Sequence, residues 1–259
     1  MPFIKEHLTI FSRLSVPWRW HIIEGVALPE KCTSWCQPVL PTDHNNWLSN
    51  DGTTEYLDSI RSDQVLVYRN PGPWHGKLDM CNAPLVNISK GAVLHEVDVD
   101  EFWSRTQLET IHDLFTHQDA GKGWYYSDCY YGADIHVVNT ESYGDSISHS
   151  WIRTHRYAGE PWQAHEPPAI AYEGRVLSRP ETGGLGLIFA HFGYALEQQV
   201  RFKENYYRQT NMLAYWRALQ SNTQWPVQLS QYMPYWPGQN ATLNRTQSYQ
   251  QVIKQLQST

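Results

Sequence analysis

The chain has only four cysteines in 259 residues, Cys32, Cys36, Cys81 and Cys129, and their spacing is irregular. That excludes a disulfide-stapled scaffold and fits reduced thiols in a reducing compartment. Cys32 and Cys36 have the spacing of half a zinc site, and no second Cys/His pair answers them. No apolar run approaches the roughly 20 residues that cross a bilayer. The start, Met1-Pro2-Phe3-Ile4-Lys5-Glu6-His7, lacks the hydrophobic core of a signal peptide. A soluble, cytoplasmic protein is expected, in which the Asn-x-Ser/Thr triplets at Asn87, Asn240 and Asn244 arise by chance. A basic stripe is missing too: 20 Lys+Arg against 26 Asp+Glu give a net charge of −6, which sets nucleic acid aside as a partner. There is no internal repeat and no low-complexity block.

What the chain has in quantity is rings with a polar handle, 12 Trp and 16 Tyr against 7 Phe. Such rings suit sugar faces and polar clefts as well as cores. Each of Trp74, Trp103, Trp151 and Trp162 reads first as core, with one or two expected in an acceptor cleft. The length suits one large α/β domain over 1–215 with a C-terminal helical tail over 216–259.

Along the chain, residues 5–14 have helical spacing and Pro17 ends the helix; 18–27 reads as a strand with Glu24 at its end. Residues 28–50 form a long loop. Turn chemistry at 50–55 precedes a short helix, and 64–68 is a strand. Residues 77–85, with Lys77 and Asn82, read as a proline-interrupted helix. This alternation predicts a mostly parallel sheet flanked by helices. A helix follows at 105–115, then one or two strands within 124–138. Residues 139–184 show little helix signal and carry Arg153, His155, Arg156, His165 and Glu166. A short strand over 184–189 closes at His191, and helices follow at 194–208 and 212–219. Beyond 221 a loosely packed tail is expected, with a short helix at 248–257.

The stretch that organises the rest is Ala92 to Trp103, an apolar strand that runs into Asp98, Asp100 and Glu101. Three acids within four residues repel one another, and a divalent cation relieves that repulsion. Ligands of open α/β sheets lie outside the carboxyl ends of strands, where Glu24, the acidic group and His191 all fall. Carboxylate oxygens with an imidazole suit Mg²⁺ or Mn²⁺, which commonly bridge to the phosphates of a nucleotide. The plain alternatives are that Asp98 and Asp100 cap the helix near Ser104, that His191 is a packed histidine, and that Lys77, Arg153, His155 and Arg156 are solvated.

The order of elements resembles the GT-A glycosyltransferases, in particular family-2-like enzymes that use nucleotide-sugar donors, over about residues 5–210. The matching pieces are WHIIEG (20–25), KLDMCNAPL (77–85) with VDVDEFW (97–103), and FAHFGYALEQQVRFKENYY (189–207). The resemblance implies that Asp98 and Asp100 hold a metal on the donor diphosphate and that His191 completes the metal shell. It also implies that Glu24, Lys77 and Asn82 contact the donor together with Asp98. An inverting transfer also needs a base for the acceptor hydroxyl, for which Glu166 is the candidate, with Glu101 and His165 behind it. The family's usual first strand is absent or reduced to Met1–Ile4, and only Glu24 follows the second strand directly.

The expected function is transfer of a sugar from a nucleotide-diphosphate donor to a glycan or other hydroxyl acceptor, metal-dependent and inverting. The alternatives are a metal-dependent hydrolase of nucleotide sugars or phosphoesters, which needs further His/Asp pairs, and a non-catalytic carbohydrate-binding protein, which does not need the acids.

Overall fold

A computed structural model describes residues 3–29, 36–137, 151–165, 168–234 and 241–259. Helix α1 (Ile4–Phe11) buries Ile4, His7 and Ile10, a one-sided stripe three residues apart. It leads into β1 (Trp20–Ile23), and α2 (Thr53–Ile60) then leads into β2 (Val65–Tyr68), which pairs with β1 in parallel. Ile22, Leu57 and Val65 are the buried centre of this unit, with Ile4 of α1 covering it.

The backbone register has a consequence for the site. Trp20 donates to Gln64 O at 2.7 Å and Glu24 to Tyr68 O at 3.0 Å, so the peptide groups of His21 and Ile23 point away from β2. Among the described residues no strand pairs with that edge, and it borders a cavity.

Next come α3 (Lys77–Asn82), which runs into a 3₁₀ turn at Ala83–Asn87, β3 (Val93–His95) and β4 (Glu101–Phe102). Helix α4 (Arg105–His117) starts on a capping box: Ser104 Oγ accepts from Gln107 N–H, and Gln107 Oε1 accepts from Ser104 N–H at 2.8 Å. Ser104 is therefore the cap, and neither Asp98 nor Asp100 plays that part. Strand β5 (Ala120–Cys129) alternates buried and half-buried residues along most of its length. After it come β6 (Ile135–Val137), β7 (Trp151–Arg156), the short pair β8 (Ala164–His165) and β9 (Pro168–Ala169), and β10 (Arg175–Leu177). The described chain ends with α5 (Arg179–Gly184), β11 (Ile188–His191), α6 (Glu197–Tyr206), α7 (Met212–Gln220), β12 (Val227–Gln228), α8 (Leu229–Tyr232), β13 (Thr242–Arg245) and α9 (Tyr249–Leu256).

The central sheet has the order β3-β7-β5-β11-β4, with β10 also on β5. It is mixed rather than mostly parallel: β5 is parallel to β10 and β11, while β3/β7, β5/β7 and β11/β4 are antiparallel. The strand that changes its character is β7. Its WIRTHR sequence interleaves charged with apolar residues, and Arg153, Thr154 and His155 are all buried. Polar residues in a buried strand carry no hydrophobic signal.

Trp103, Ile111, Leu114, Phe115 and Phe189 pack α4 onto one face of the sheet. A second cluster joins Cys129, Tyr131 and Ile135 to Val200, Trp216, Leu229 and Leu243. The described residues beyond 221 are thus built into the core rather than loosely packed: β13 pairs with β6, and Ile253 packs with Phe3, Phe102 and Phe192. Outside α9 their apolar anchors are too widely spaced among Gln and Asn to show a period.

Candidate functional site

The free edge of β1 faces the segment Glu96–Asp100 across a cavity of about 990 Å³. That is at the upper end of the roughly 300–1,000 Å³ range of small-molecule sites. His191, at the carboxyl end of β11, lines it, as do Phe202, Lys203 and Tyr206 of α6 and Tyr207 just beyond that helix.

Asp98 and Asp100 are held from several directions. Asp98 O accepts from Glu101 N–H at 2.9 Å, which turns the chain between strand and acids. His7 on α1 stacks on Phe102 at 4.3 Å, and its Nε2–H donates to Val99 O at 2.9 Å, fixing the peptide between the two aspartates. Asp100 O accepts from Phe192 N–H at 2.8 Å, which ties the loop to the end of β11.

The two aspartates then diverge. Asp98 is half exposed and its Oδ2 lies 3.2 Å from Arg153 Nη2. Asp100 is nearly buried: Oδ1 stands 3.8 Å from His191 Nε2, while Oδ2 accepts from Gln199 at 3.3 Å and lies 4.0 Å from Lys203 Nζ. Burial, and then the charge of Lys203, hold the His191 imidazole down at about 3, so it is neutral near pH 7. A neutral imidazole is the form that ligates metals. Its Nδ1 lies 3.5 Å from Cys129 Sγ.

Two glycines make this packing possible. A side chain at Gly193 would meet His191 Nε2 at 2.6 Å and Lys203 Nζ at 2.8 Å. Gly25, at φ +137°, lets the Trp74 indole donate to Glu24 O at 2.9 Å.

The other expected residues divide between the cavity lining and the structure around it. Glu101 is fully buried, and Arg153 donates to it from Nε at 2.8 Å and Nη2 at 2.5 Å. Burial raises the Glu101 carboxyl and the Arg153 charge opposes that; the fork geometry is that of an ionised pair. Glu101 Oε2 also accepts from Asp98 N–H at 3.3 Å, so it braces the acidic turn. Glu24 is buried in the wall, accepting from Thr54 at 2.5 Å and from Arg69 at 2.7 Å, so it holds the 49–54 loop rather than facing the cavity. Asn82 is committed to the backbone of Trp162 at 2.8 and 3.3 Å. Lys77 lines the cavity with Nζ 5.7 Å from the centre of the Tyr206 ring, and His165 lines it as well. Glu166 lies outside the described residues.

Trp74, Trp103 and Trp162 are core residues. The aromatic lining includes instead Trp20, Tyr194, the rings of α6 and Trp47, which is half exposed and stacked on His44 at 5.0 Å. Sequence reading missed Lys203, Gln199 and the tyrosines beside them. Their helical spacing, Gln199-Lys203-Tyr206, was the available signal that they share a face.

Among the described residues no group of three His, Cys, Asp or Glu side chains could hold a metal ion. What is present is the pair Asp100 and His191. Two ligands of one Mg²⁺-sized ion, each about 2.1 Å from it, stand roughly 3–4 Å apart, and such ions commonly take their remaining ligands from water and substrate phosphates. The pair at 3.8 Å fits that shared mode and does not make a protein cage. Among the described residues no helix is long and apolar enough to cross a membrane.

No protein-family model matches the chain, and no curated protein or solved structure matches it.

Proposed function

We propose that this chain is a glycosyltransferase of GT-A-like fold that moves a sugar from a nucleotide-diphosphate donor to a hydroxyl acceptor. The observation that carries this reading is the convergence of Asp100, His191 and Lys203 in the lining of one large cavity, beside the carboxyl end of β11. Breaking a sugar–phosphate bond leaves a diphosphate with new negative charge, and cations held there stabilise that charge as it forms. When bound, a divalent ion would supply Lewis-acid stabilisation of the leaving diphosphate, with Asp100 and His191 as its protein ligands.

The remaining roles belong to the chain itself. Lys77 and Lys203 line the same cavity beside α6, and both would bring ammonium groups to the diphosphate. Tyr206, Tyr207 and Phe202 offer flat faces to sugar rings. His7 and Arg153 keep the acidic turn in one conformation, so little reorganisation accompanies binding.

The test is a thermal-shift panel of UDP-, GDP- and other nucleotide sugars with and without Mn²⁺. A Mn²⁺-dependent rise in melting temperature with one donor class, abolished by EDTA, is the expected result, since a ligand of the folded state alone stabilises it. No shift with any donor removes the reading.

A further inference from the structure

Asp100 already has a cation beside it. Lys203 rises from α6 with its side chain only 17% exposed, and its ammonium lies 4.0 Å from Asp100 Oδ2 and 4.4 Å above the Tyr194 ring. Gln199, one turn earlier on the same face, donates to the same oxygen. Asp100 therefore presents its two oxygens to two different neighbours, Oδ2 to α6 and Oδ1 to His191. Lys203 Nζ and His191 Nε2 both press against the bare α-carbon side of Gly193, so ammonium and imidazole lie in one small space.

A divalent ion shared by Asp100 and His191 would enter that space, and two cations so close repel strongly where water is scarce. The lysine has the means to yield: a four-carbon stem with rotatable donors, anchored on a helix that lines the cavity. We propose that Lys203 is the resident counter-ion of Asp100, which an incoming divalent cation displaces and which then binds the donor diphosphate. This rests on the transferase reading above and adds to it a residue that couples metal binding to donor binding. Displacing the ammonium from Asp100 opposes metal binding, and a bound diphosphate offers that ammonium a new partner, so the metal binds more weakly alone than with its substrate.

The inference predicts opposite effects on two equilibria in the variant Lys203→Met, which keeps the length of the stem and removes the charge. Free Mn²⁺, counted by electron paramagnetic resonance, should show binding to the variant tightened roughly tenfold when no phosphate is present. Inorganic pyrophosphate, titrated calorimetrically at saturating Mn²⁺, should bind roughly tenfold more weakly. Lys203→Arg, which keeps the charge, should stay near wild type in the first measurement. A melting curve establishes that each variant is folded; if Lys203→Met is not, Lys203→Gln replaces it. Unchanged or weakened Mn²⁺ binding in the folded neutral variant, with wild-type protein binding both probes, overturns the role of Lys203 and leaves the transferase reading standing. Wild-type protein that binds neither probe overturns both.

Discussion

Arg153 clasps Glu101 through two hydrogen bonds, at 2.8 and 2.5 Å, in a part of the core where neither side chain reaches solvent to any extent. The same guanidinium extends Nη2 to Asp98, so a strand in the sheet and the acidic turn are joined by one buried cation. Removing Arg153 strands the buried carboxylate, and removing Glu101 leaves the buried guanidinium with its longer contact to Asp98. Glu101→Gln or Arg153→Met should each cost about 3–5 kcal/mol of stability, whereas Glu101→Leu with Arg153→Met should recover most of that loss. Urea unfolding of the three variants checks this, and equal losses in singles and double would refute the pairing as the cause. The double variant should still lose organisation at Asp98, because its guanidinium partner is gone.

That pair also marks the limit of what the sequence made legible. Helices such as 105–117 and 249–256, and strands such as 65–68, follow from apolar spacing and caps, and they lie where that spacing places them. Asp98, Asp100 and His191 were legible because acids at a strand end and a histidine closing an apolar strand are conspicuous. The partners were not. Arg153 sits in a strand whose other buried members include Thr154 and His155, and nothing local distinguishes a buried arginine from a solvated one. Glu24 was misplaced for the complementary reason. An acid at a strand end reads as a ligand contact, and only the fold shows Arg69, 45 residues later, closing on it.

The divergence of the two aspartates leads to unequal consequences. Asp100 faces His191 and Lys203, while Asp98 is tied to Arg153 and half exposed. Asp100→Asn should therefore abolish Mn²⁺-dependent donor binding. Asp98→Asn should weaken it within the roughly 10–100-fold range seen when groups behind metal ligands are removed. Calorimetric titration of both variants with a nucleoside diphosphate and Mn²⁺ measures the difference, and a larger loss at Asp98 would reverse the assignment.

Four histidines make stability depend on pH in a defined window. Burial holds His7 down at about 4, and His95, His155 and His191 at about 3. Each is neutral when folded, but in the unfolded chain each takes up a proton near pH 6.5. Their contribution is complete above pH 6.5 and is lost as the pH falls from there towards 4 and then 3. Below about 6 each imidazole removes roughly 1.4 kcal/mol per pH unit, so four together outrun the buried carboxyl of Asp128, which burial pushes the other way. Urea midpoints should drop steeply between pH 6 and 5, before most carboxylates titrate. His7→Gln keeps a donor for Val99 O and removes one titrating group, so its slope should be shallower by about one proton. A midpoint flat from pH 7 to 5 would show that these rings are not held neutral in the folded chain.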